Sequence, residues 1–250
     1  MKVSLILTTY NCEENLQKTL KSLETQDYPE IEIIIKDGKS TDGTLALIQD
    51  FANRHDNVKW VSEKDSGIYD AMNQGYQMST GDIIAFFNDT FVGKDAVRKF
   101  VKAIENGGDD CMGAHADLIY VDGDKVIRYW RMGQGKIKQG WMPGHPTLYL
   151  KREVYEKFGL YDTSFVSSSD YEFMVRILKD DQLKLVYIPE VLIAMFYGGT
   201  SSGGIKGYWR NVKEAYYSLK KNNVKNAWLV ILKRVWKVSL QFITNKKNFD

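Results

Sequence analysis

The chain has 250 residues, of which 44% are hydrophobic and 26% are charged, and its formal net charge at pH 7 is +2. These values are typical of a globular protein and leave room for one large domain plus an appendage. No run of about eighteen uncharged apolar residues occurs, so no bilayer-spanning helix is predicted.

Charge is distributed unevenly along the chain. Residues 206–247 contain eleven lysines and arginines and a single acid, Glu214, which gives this tail a charge of +10 and leaves −8 for the remainder. We therefore expect the two ends to face different partners. Cys12 and Cys111 lack metal-ligand spacing and favour a reducing cytosol. The chain begins directly on a strand-like run, so no signal peptide is expected.

Strand-like and helix-like segments alternate over the first third of the chain. Strands are predicted at residues 2–7, 31–35, 58–61 and 83–87, and helices at 13–24, 41–54 and 70–78. Such alternation predicts right-handed crossovers between parallel strands. The sequence therefore predicts an α/β fold whose central sheet is mixed, mainly parallel and flanked by helices.

Polar loops follow the first three predicted strands, at residues 8–11, 37–44 and 63–67. The carboxyl ends of parallel strands meet at one sheet edge, where such folds bind ligands. For a nucleotide, the Asp37 carboxylate suits a pyrimidine ring N–H, and Tyr10 suits stacking on the base. The alternative for residues 37–44 is a turn and a helix cap, and both roles are compatible. The glycine motifs of dinucleotide-binding and P-loop proteins are missing from the sequence.

The apolar run at residues 83–87 ends in Asn88-Asp89-Thr90. Its character suits a strand that is buried on both faces of a sheet. A carboxylate just beyond such a strand, here Asp89, can hold a divalent metal against the phosphates of a substrate. The alternative is a plain turn after a core strand, and these residues alone leave both interpretations open.

Residues 117–121 and 125–130 flank an Asp-Gly turn signal and predict a β-hairpin. Trp130, Trp141 and Tyr149 are candidate platforms for sugar rings, although such residues more often belong to the core. The glycine-rich residues 198–204 suit either a lid over a donor or a plain linker.

A helix is predicted at residues 170–178, and its first residue is Asp170. Considered by itself, this acid is a residue at a helix N-terminus that the helix dipole favours. Two further helices are predicted in the basic tail, at 208–221 and 227–243. The last one has a broad apolar stripe with Lys233, Arg234 and Lys237 on its polar side, which fits a helix lying in a membrane interface. The alternative is a helix packed on the rest of the protein or on a twin subunit.

Several segments together resemble the family-2 glycosyltransferases of the GT-A fold: TTYN, DGKSTDGT, EKDSGIYDAMNQG, the strand ending in Asn-Asp, and SSSDYEFMVR. The resemblance covers residues 1–200 in the order of the family's motifs. It implies transfer of a sugar from a nucleotide donor, usually a UDP-sugar, to an acceptor hydroxyl with inversion at the anomeric carbon. It also implies that the donor nucleotide is bound by Thr8, Tyr10, Asn11, Asp37, Asp65, Asp70 and Asn88.

The resemblance further implies roles for three residues in the chemistry. Asp89 takes the place of the metal-binding aspartate, Asp170 that of the catalytic base, and His145 is a candidate additional contact to the metal or a phosphate. This chain departs from the family by offering one carboxylate at the metal motif. A single aspartate, the donor's phosphate oxygens and water can still complete the shell of Mg²⁺ or Mn²⁺.

We therefore expect a GT-A catalytic domain at residues 1–204, with a nucleotide-sugar-binding half at 1–110 and an acceptor half at 111–204, followed by a basic helical tail at 205–250. The expected protein is a cytoplasmic inverting glycosyltransferase, peripheral at the inner face of the membrane. Its acceptor is expected to be lipid-linked, in capsule, exopolysaccharide or lipopolysaccharide synthesis. The alternative is a catalytically silent nucleotide-sugar-binding scaffold. No nucleic-acid partner is expected, and a homodimer is compatible with the tail.

Overall fold

The structure is a computed structural model that describes residues 1–179, 183–197 and 204–244, with side chains except at 204–206 and 238–244. Nine strands in these ranges form one sheet. They are β1 (Val3–Thr9), β2 (Ile31–Asp37), β3 (Val58–Ser62), β4 (Ile83–Phe86), β5 (Thr90–Phe91), β6 (Cys111–Asp122), β7 (Lys125–Trp130), β8 (Tyr149–Lys151) and β9 (Lys184–Phe196).

Eight α-helices in the described ranges flank this sheet. They are α1 (Glu13–Glu24), α2 (Thr44–Arg54), α3 (Ile68–Met78), α4 (Ala96–Asn106), α5 (Arg152–Phe158), α6 (Ser169–Leu178), α7 (Gly204–Lys221) and α8 (Ala227–Thr244). Two 3₁₀ turns, Ile137–Gln139 and His145–Thr147, connect β7 to β8. None of these helices has the length and apolar character needed to cross a bilayer.

The sheet has the order β3-β2-β1-β4-β8-β6-β9-β5, and β7 pairs with β6. The first four strands are parallel to one another, as predicted, with Leu5 of β1 opposite Ile33 of β2 and Ala85 of β4. The short strand β8 then pairs antiparallel with both β4 and β6. The predicted hairpin is confirmed as the antiparallel pair β6–β7. The sheet is thus mixed: the first four strands are parallel, β6 and β9 are parallel, and the remaining pairs are antiparallel.

Both faces of the parallel strands are buried because successive side chains point to opposite sides. On one side, Leu5 packs with residues of α1, α2 and α4 in one hydrophobic cluster. On the other, Ile6 shares a cluster with residues of α3 and α6 and also with Leu219 of α7 and Val230 of α8. The two tail helices are therefore part of the second core.

Polar contacts also hold α7 against the segment before α6. The Glu214 carboxylate accepts hydrogen bonds from the backbone N–H groups of Val166 (3.2 Å) and Ser167 (3.0 Å). Asn222, just after α7, donates to the fully buried carboxylate of Glu172 at 2.9 Å. Of the predicted lid at 198–204, residues 198–203 lie outside the described ranges, and Gly204 is the first residue of α7.

Candidate active site

The carboxyl ends of β1, β2 and β3 lie side by side at one edge of the sheet. We call it the nucleotide edge, after the nucleotide-binding role predicted for the residues there. Register places Thr9 opposite Asp37, and Asp37 opposite Ser62. The seven predicted nucleotide-binding residues lie at the ends of these strands, in the segments that follow them, or just after the neighbouring strand β4. Parallel pairing therefore concentrates polar side chains from distant parts of the sequence, as expected for such a sheet.

Asp37 is fully buried and organises these loops. Its two carboxylate oxygens accept hydrogen bonds from Thr9 Oγ1 (3.0 Å), Ser40 Oγ (2.5 Å), Ser40 N–H (2.9 Å) and Ser62 Oγ (2.6 Å). Burial favours the neutral carboxyl, but the hydrogen bonds from Ser40, Ser62 and Thr9 outweigh it and lower the pKa of Asp37. In the ligand-free protein Asp37 is thus an ionised acceptor that fixes the loop geometry.

Asn11 joins the first two loops. Its backbone, at a φ of 46°, donates to Ser40 Oγ at 2.9 Å, and its side-chain oxygen accepts from the Thr41 N–H at 2.8 Å. Because Ser40 and Thr41 are engaged in this way, the second helix begins at Thr44 and not at residue 41 as predicted. Asp42, just before the N-cap residue Gly43, accepts from the Thr44 N–H at 3.0 Å and so satisfies one of the free N–H groups at the helix start.

Tyr10 and Asp65 meet across Gly38. A Cβ atom at Gly38 would lie 2.8 Å from Asp65 Oδ2 and 3.3 Å from Tyr10 Cδ2. The ring of Tyr10 is 66% exposed, so one face is open to a ligand. A side chain at residue 38 would press on Asp65 and Tyr10, and with glycine there the three residues form a shallow cradle that suits a flat ring.

Lys36 is a buried cation that sequence reasoning missed. Its ammonium donates to the carbonyl oxygens of Asp37 (2.8 Å) and Glu63 (2.5 Å) and lies 3.4 Å from Asp65 Oδ2. It therefore ties the end of β2 to the third loop and sets the position of Asp65. A lysine that directly follows three isoleucines in a predicted core strand was the available signal, since a lysine is rarely buried without a partner.

Asp70 lies in the first turn of α3. Its Oδ2 accepts from both the N–H and the hydroxyl of Ser66 at 2.9 Å. The Ser66 N–H lowers the pKa of Asp70, with a smaller contribution in the same direction from the Lys36 charge. Asp70 thus shapes the loop between β3 and α3 and holds the end of the Asp65 segment.

Asn88 links the ends of β4 and β1. Its side-chain oxygen accepts from the Thr8 N–H at 2.9 Å, and its side-chain nitrogen donates to Thr8 Oγ1 at 3.0 Å. Both predicted residues are therefore paired with each other. This pairing fixes where the chain turns toward Asp89.

Asp89 is 8% exposed and lies beside the end of β9. Its Oδ1 accepts from the Phe196 N–H at 3.1 Å, and burial raises its pKa to about 7. Within the described ranges Oδ2 has no hydrogen bond, and no set of three or more His, Cys, Asp or Glu side chains could enclose a metal. A single open carboxylate oxygen suits Mg²⁺ or Mn²⁺ that takes its other ligands from phosphates and water.

Asp170 lies in the first turn of α6, within a cluster of buried tyrosines. Its Oδ1 accepts from the Tyr69 hydroxyl of α3 at 3.0 Å. His145 Nε2 is 2.8 Å from the Tyr161 hydroxyl, and the ring centroids of Tyr69 and Tyr161 are 5.9 Å apart. Burial lowers the pKa of His145, and the nearby Asp170 charge opposes this only in part. His145 is thus a neutral imidazole near Asp170, with its Nε2 engaged by Tyr161.

The three aromatic residues considered as sugar platforms have different environments. Tyr149 is fully buried and stacks on Phe100 at 3.9 Å, so the platform hypothesis is wrong for it. The indole of Trp141 donates to the Met132 carbonyl at 2.9 Å and is half-buried. Trp130 is half-buried beside Tyr120. Only the two tryptophans keep a surface that a sugar could reach.

The α3 segment connects the two parts of the site. Asp65 and Asp70 lie at its start, against Lys36 of the nucleotide edge, while Tyr69 reaches Asp170 of α6. The loops of Asn11, Asp37 and Asp65 are therefore linked to one another by polar contacts, and α3 joins the Asp65 loop to the Asp170 carboxylate, which gives one linked set of residues. Tyr69, Ser40 and Ser62 complete this set and were not predicted.

Comparison with solved structures shows the class of protein that has this fold. The chain superposes with TarS of S. aureus in complex with UDP-GlcNAc with a TM-score of 0.72, at 17% identity, covering 94% of this chain and 72% of that one. It superposes with the mannosyltransferase PcManGT of Pyrobaculum calidifontis, in complex with GDP-Man and Mn²⁺, with a TM-score of 0.68, at 19% identity, covering 92% and 69%. The fold is that of the GT-A glycosyltransferases.

Sequence comparison then gives the family. Residues 4–171 match the family described as Glycosyl transferase family 2, and the chain belongs to this family. It is 27% identical over 183 residues to glycosyltransferase AglE of Haloferax volcanii, covering 70% of this chain and 60% of the relative's length. It is 33% identical over 186 residues to an uncharacterized glycosyltransferase of Mycobacterium tuberculosis, covering 70% and 68%.

Proposed function

We propose that this protein is an inverting glycosyltransferase that moves a hexosyl or N-acetylhexosaminyl group from a UDP-sugar to a hydroxyl of a lipid-linked saccharide. The setting is the cytoplasmic face of the membrane, in the synthesis of capsule, exopolysaccharide or lipopolysaccharide. The observation that carries the proposal is the Asp170 carboxylate, held at one oxygen by Tyr69 and connected through α3 to the nucleotide edge.

Asp170 is suited to act as the general base. An acceptor hydroxyl must lose its proton as it attacks, and a carboxylate within hydrogen-bond distance can take it. Tyr69 occupies Oδ1, which leaves Oδ2 to face the acceptor. The acceptor oxygen then bonds to the anomeric carbon, the bond from that carbon to the diphosphate oxygen breaks, and the nucleoside diphosphate leaves. Attack from the side opposite the leaving group inverts the anomeric carbon.

The nucleotide edge is suited to hold the donor. The exposed Tyr10 ring and the Gly38 cradle offer a face for the base, and Asn11 and Asp65 lie within the same loops. Asp89 would hold a divalent cation, which neutralises charge on the diphosphate when it is bound. Two solved proteins of the same fold were captured with UDP-GlcNAc and with GDP-Man and Mn²⁺, which supports a nucleotide sugar as donor.

Two observations favour a lipid-linked acceptor at a membrane. A relative from Methanococcus voltae, 26% identical over 218 residues, is named as a glycosyltransferase acting on a dolichyl N-acetylglucosaminyl phosphate. In addition, α8 exposes an apolar face that includes Trp228 (57% exposed), Leu232 (61%) and Trp236 (67%). Exposed tryptophans on a basic helix are typical of a helix that lies in a membrane interface.

Release of nucleoside diphosphate tests the proposal. Purified full-length protein is incubated with Mn²⁺, a polyprenyl-diphosphate-linked monosaccharide and a panel of UDP- and GDP-sugars. We expect UDP release with at least one UDP-sugar, and D170N is expected to keep donor binding while losing at least about a hundredfold in transfer. Nucleotide binding without turnover for any donor would support the silent scaffold instead, and near-normal transfer by D170N would rule out the base.

A further inference from the structure

Arg234 lies on the inner face of α8. In this helix Ala227, Val230 and Ile231 are buried in the second core, and Arg234 follows them at helical spacing on the same side. The exposed apolar residues Trp228, Leu232 and Trp236 lie on the opposite side of the helix, and Lys237, about one turn after Arg234, is exposed. The sequence pattern groups Arg234 with the solvated lysines, whereas the structure turns it into the protein.

The guanidinium of Arg234 is held in place without a counter-charge. Its Cζ lies 4.2 Å from the ring centroid of Tyr171, and its Nη1 is buried without a hydrogen-bond partner. No carboxylate of the described residues forms an ion pair with it. A buried cationic donor that lacks a partner is costly, so this position favours a site that an anion completes.

The position of Arg234 relative to the two predicted acids is informative. Tyr171, under its guanidinium, is the residue after Asp170 in α6. Burial raises the pKa of the Tyr120 hydroxyl most, the Asp89 charge adds to this, and the charges of Arg128 and Arg234 oppose it. Arg128 is the cross-strand partner of Tyr120, with Cζ 5.0 Å from its ring. Arg234 therefore lies beside the first turn of α6, which carries Asp170.

The turn below α8 fixes this placement. Gly140 has a φ of 72°, and a Cβ atom there would lie 2.6 Å from the backbone nitrogen of Arg234. The backbone of α8 therefore packs directly on the turn that follows Ile137–Gln139. The backbone of Arg234 is thereby fixed against this turn.

We propose that Arg234 is a substrate-binding residue that contacts a phosphate oxygen of a diphosphate group in the active site. The inference rests on the proposed function and adds to it a residue from the C-terminal helix. A planar guanidinium stacked on a tyrosine has its N–H groups fixed in direction and suits bidentate binding of phosphate. Two sources share this chemistry, the nucleoside diphosphate of the donor and the diphosphate of a lipid-linked acceptor.

The test uses full-length R234Q, R234K and K237Q. Lys237 is exposed about one turn after Arg234 on the same helix, so K237Q removes an equal positive charge from α8 at a side chain that is not buried. Affinity for UDP is measured by calorimetry with Mn²⁺, and KM is measured for a polyprenyl-diphosphate-linked monosaccharide and for the same sugar on a phosphate-free alkyl chain. Thermal unfolding of each variant checks that α8 remains docked.

If Arg234 binds the donor, R234Q weakens UDP at least about tenfold, R234K less, and K237Q within twofold of the wild type. If it binds the acceptor, UDP affinity is unchanged, and KM rises about tenfold for the diphosphate acceptor alone. Unchanged UDP affinity and unchanged KM in a folded R234Q would overturn the inference and leave the proposed function standing. Failure of the wild type to bind any nucleoside diphosphate would remove the proposed function itself.

Discussion

The hydroxyl of Tyr69 lies 3.0 Å from the carboxylate of Asp170. Tyr69 is the second residue of α3 and is 6% exposed, while Asp170 lies in the first turn of α6. Since α3 begins where the nucleotide-side loop of Asp65 ends, this hydrogen bond joins the donor side of the site to the proposed base. Tyr69 is a positioning residue, because it acts through Asp170.

Y69F removes this hydrogen bond with little change in volume. We expect kcat to fall about tenfold because the carboxylate is less well oriented, with KM for the donor unchanged. Steady-state transfer assays at saturating acceptor measure both constants. Y76F makes the same substitution two turns along α3 and serves as the control. An unaltered kcat in Y69F would show that the hydrogen bond does not orient Asp170.

G38A places a methyl group in the cradle between Tyr10 and Asp65. The contact of 2.8 Å to Asp65 Oδ2 forces one of the two side chains to move. We expect UDP affinity to fall about fivefold to fiftyfold, whereas the melting temperature should change little. G207A is the matched control, because a Cβ atom at Gly207 meets no atom within 4 Å. Equal UDP affinity in G38A and wild type would mean that the base does not lie in this cradle.

Burial of Asp89 makes stability depend on pH. Its pKa rises from 3.8 in the reference state to about 7 in the fold, so between these values the folded protein holds a proton that the unfolded chain has lost. The free energy of unfolding therefore falls as pH rises from about 4 to 7, by an amount of the order of 4 kcal/mol.

D89N removes this effect. We expect it to be more stable than the wild type at pH 8 in EDTA, with a difference that shrinks toward pH 4, as measured by urea unfolding. Added Mn²⁺ should raise the melting temperature of the wild type at pH 8 and leave D89N unchanged, because a cation binds the ionised carboxylate. A D89N protein less stable than the wild type at pH 8 would contradict this account.

Glu32 has the opposite behaviour, at the far end of the parallel strands. It is 3% exposed, and although burial alone would raise its pKa, hydrogen bonds from Lys2, Ser4 and Thr80 lower the pKa to about 2. Its contribution to stability is full above about pH 4.5 and is lost as pH falls toward 2. E32Q should lower the free energy of unfolding at pH 7 by about 2–3 kcal/mol and flatten its decline in acid.

Urea unfolding between pH 2.5 and 7 tests this expectation, with E30Q as the control because Glu30 is exposed. UDP affinity should be the same in E32Q and wild type, since Glu32 lies at the opposite end of the strands from the nucleotide edge. A steep acid loss of stability in E32Q, equal to that of the wild type, would assign the effect to other carboxylates.

The exposed face of α8 predicts binding to anionic vesicles. L232E/W236E places two acids on this face and is expected to abolish co-sedimentation with phosphatidylglycerol vesicles, since apolar insertion is lost and charge attraction is reduced. W60E is the control, because Trp60 is 37% exposed on the edge strand β3. Equal sedimentation of L232E/W236E and wild type would exclude this face, and a concentration-dependent dimer in solution would indicate a second copy as its partner.

The parallel half of the fold could be predicted from the sequence because each of its elements has a clear local pattern. The predicted helix at residues 13–24 matches α1 at both ends, and the apolar run at 83–87 contains β4. Helix α4 was not predicted, although Val97, Phe100, Val101 and Ile104 follow helical spacing and are buried. That omission is a failure to use an available signal.

The second half of the sheet, in which β6 and β9 are parallel and the other pairs are antiparallel, depends on tertiary pairing that a local pattern does not contain. Strand β8 has three residues, too few for any periodicity, and is defined by β4 and β6 on either side of it. Strand β9 contains Pro189 and pairs with β6 through shifted register, which obscures its alternation.

The candidate site shows the same division. Its motif residues could be predicted from the sequence, since Asp37, Asp89 and Asp170 stand at the ends or starts of recognisable elements. The partners Tyr69 and Arg234 could not be predicted. Tyr69 contacts Asp170, 101 positions away, and Arg234 contacts Tyr171, 63 positions away. A residue's neighbours in space are set by how elements pack, and this packing is not readable from one sequence.

The hydrogen bonds from Val166 and Ser167 to Glu214 have a consequence for protein engineering. They attach the last residues before the proposed base to a helix encoded some fifty positions later. A hybrid enzyme that exchanges C-terminal helices between relatives must therefore exchange the 162–168 loop with them. Trimming the tail to ease purification would likewise release the anchor of that loop.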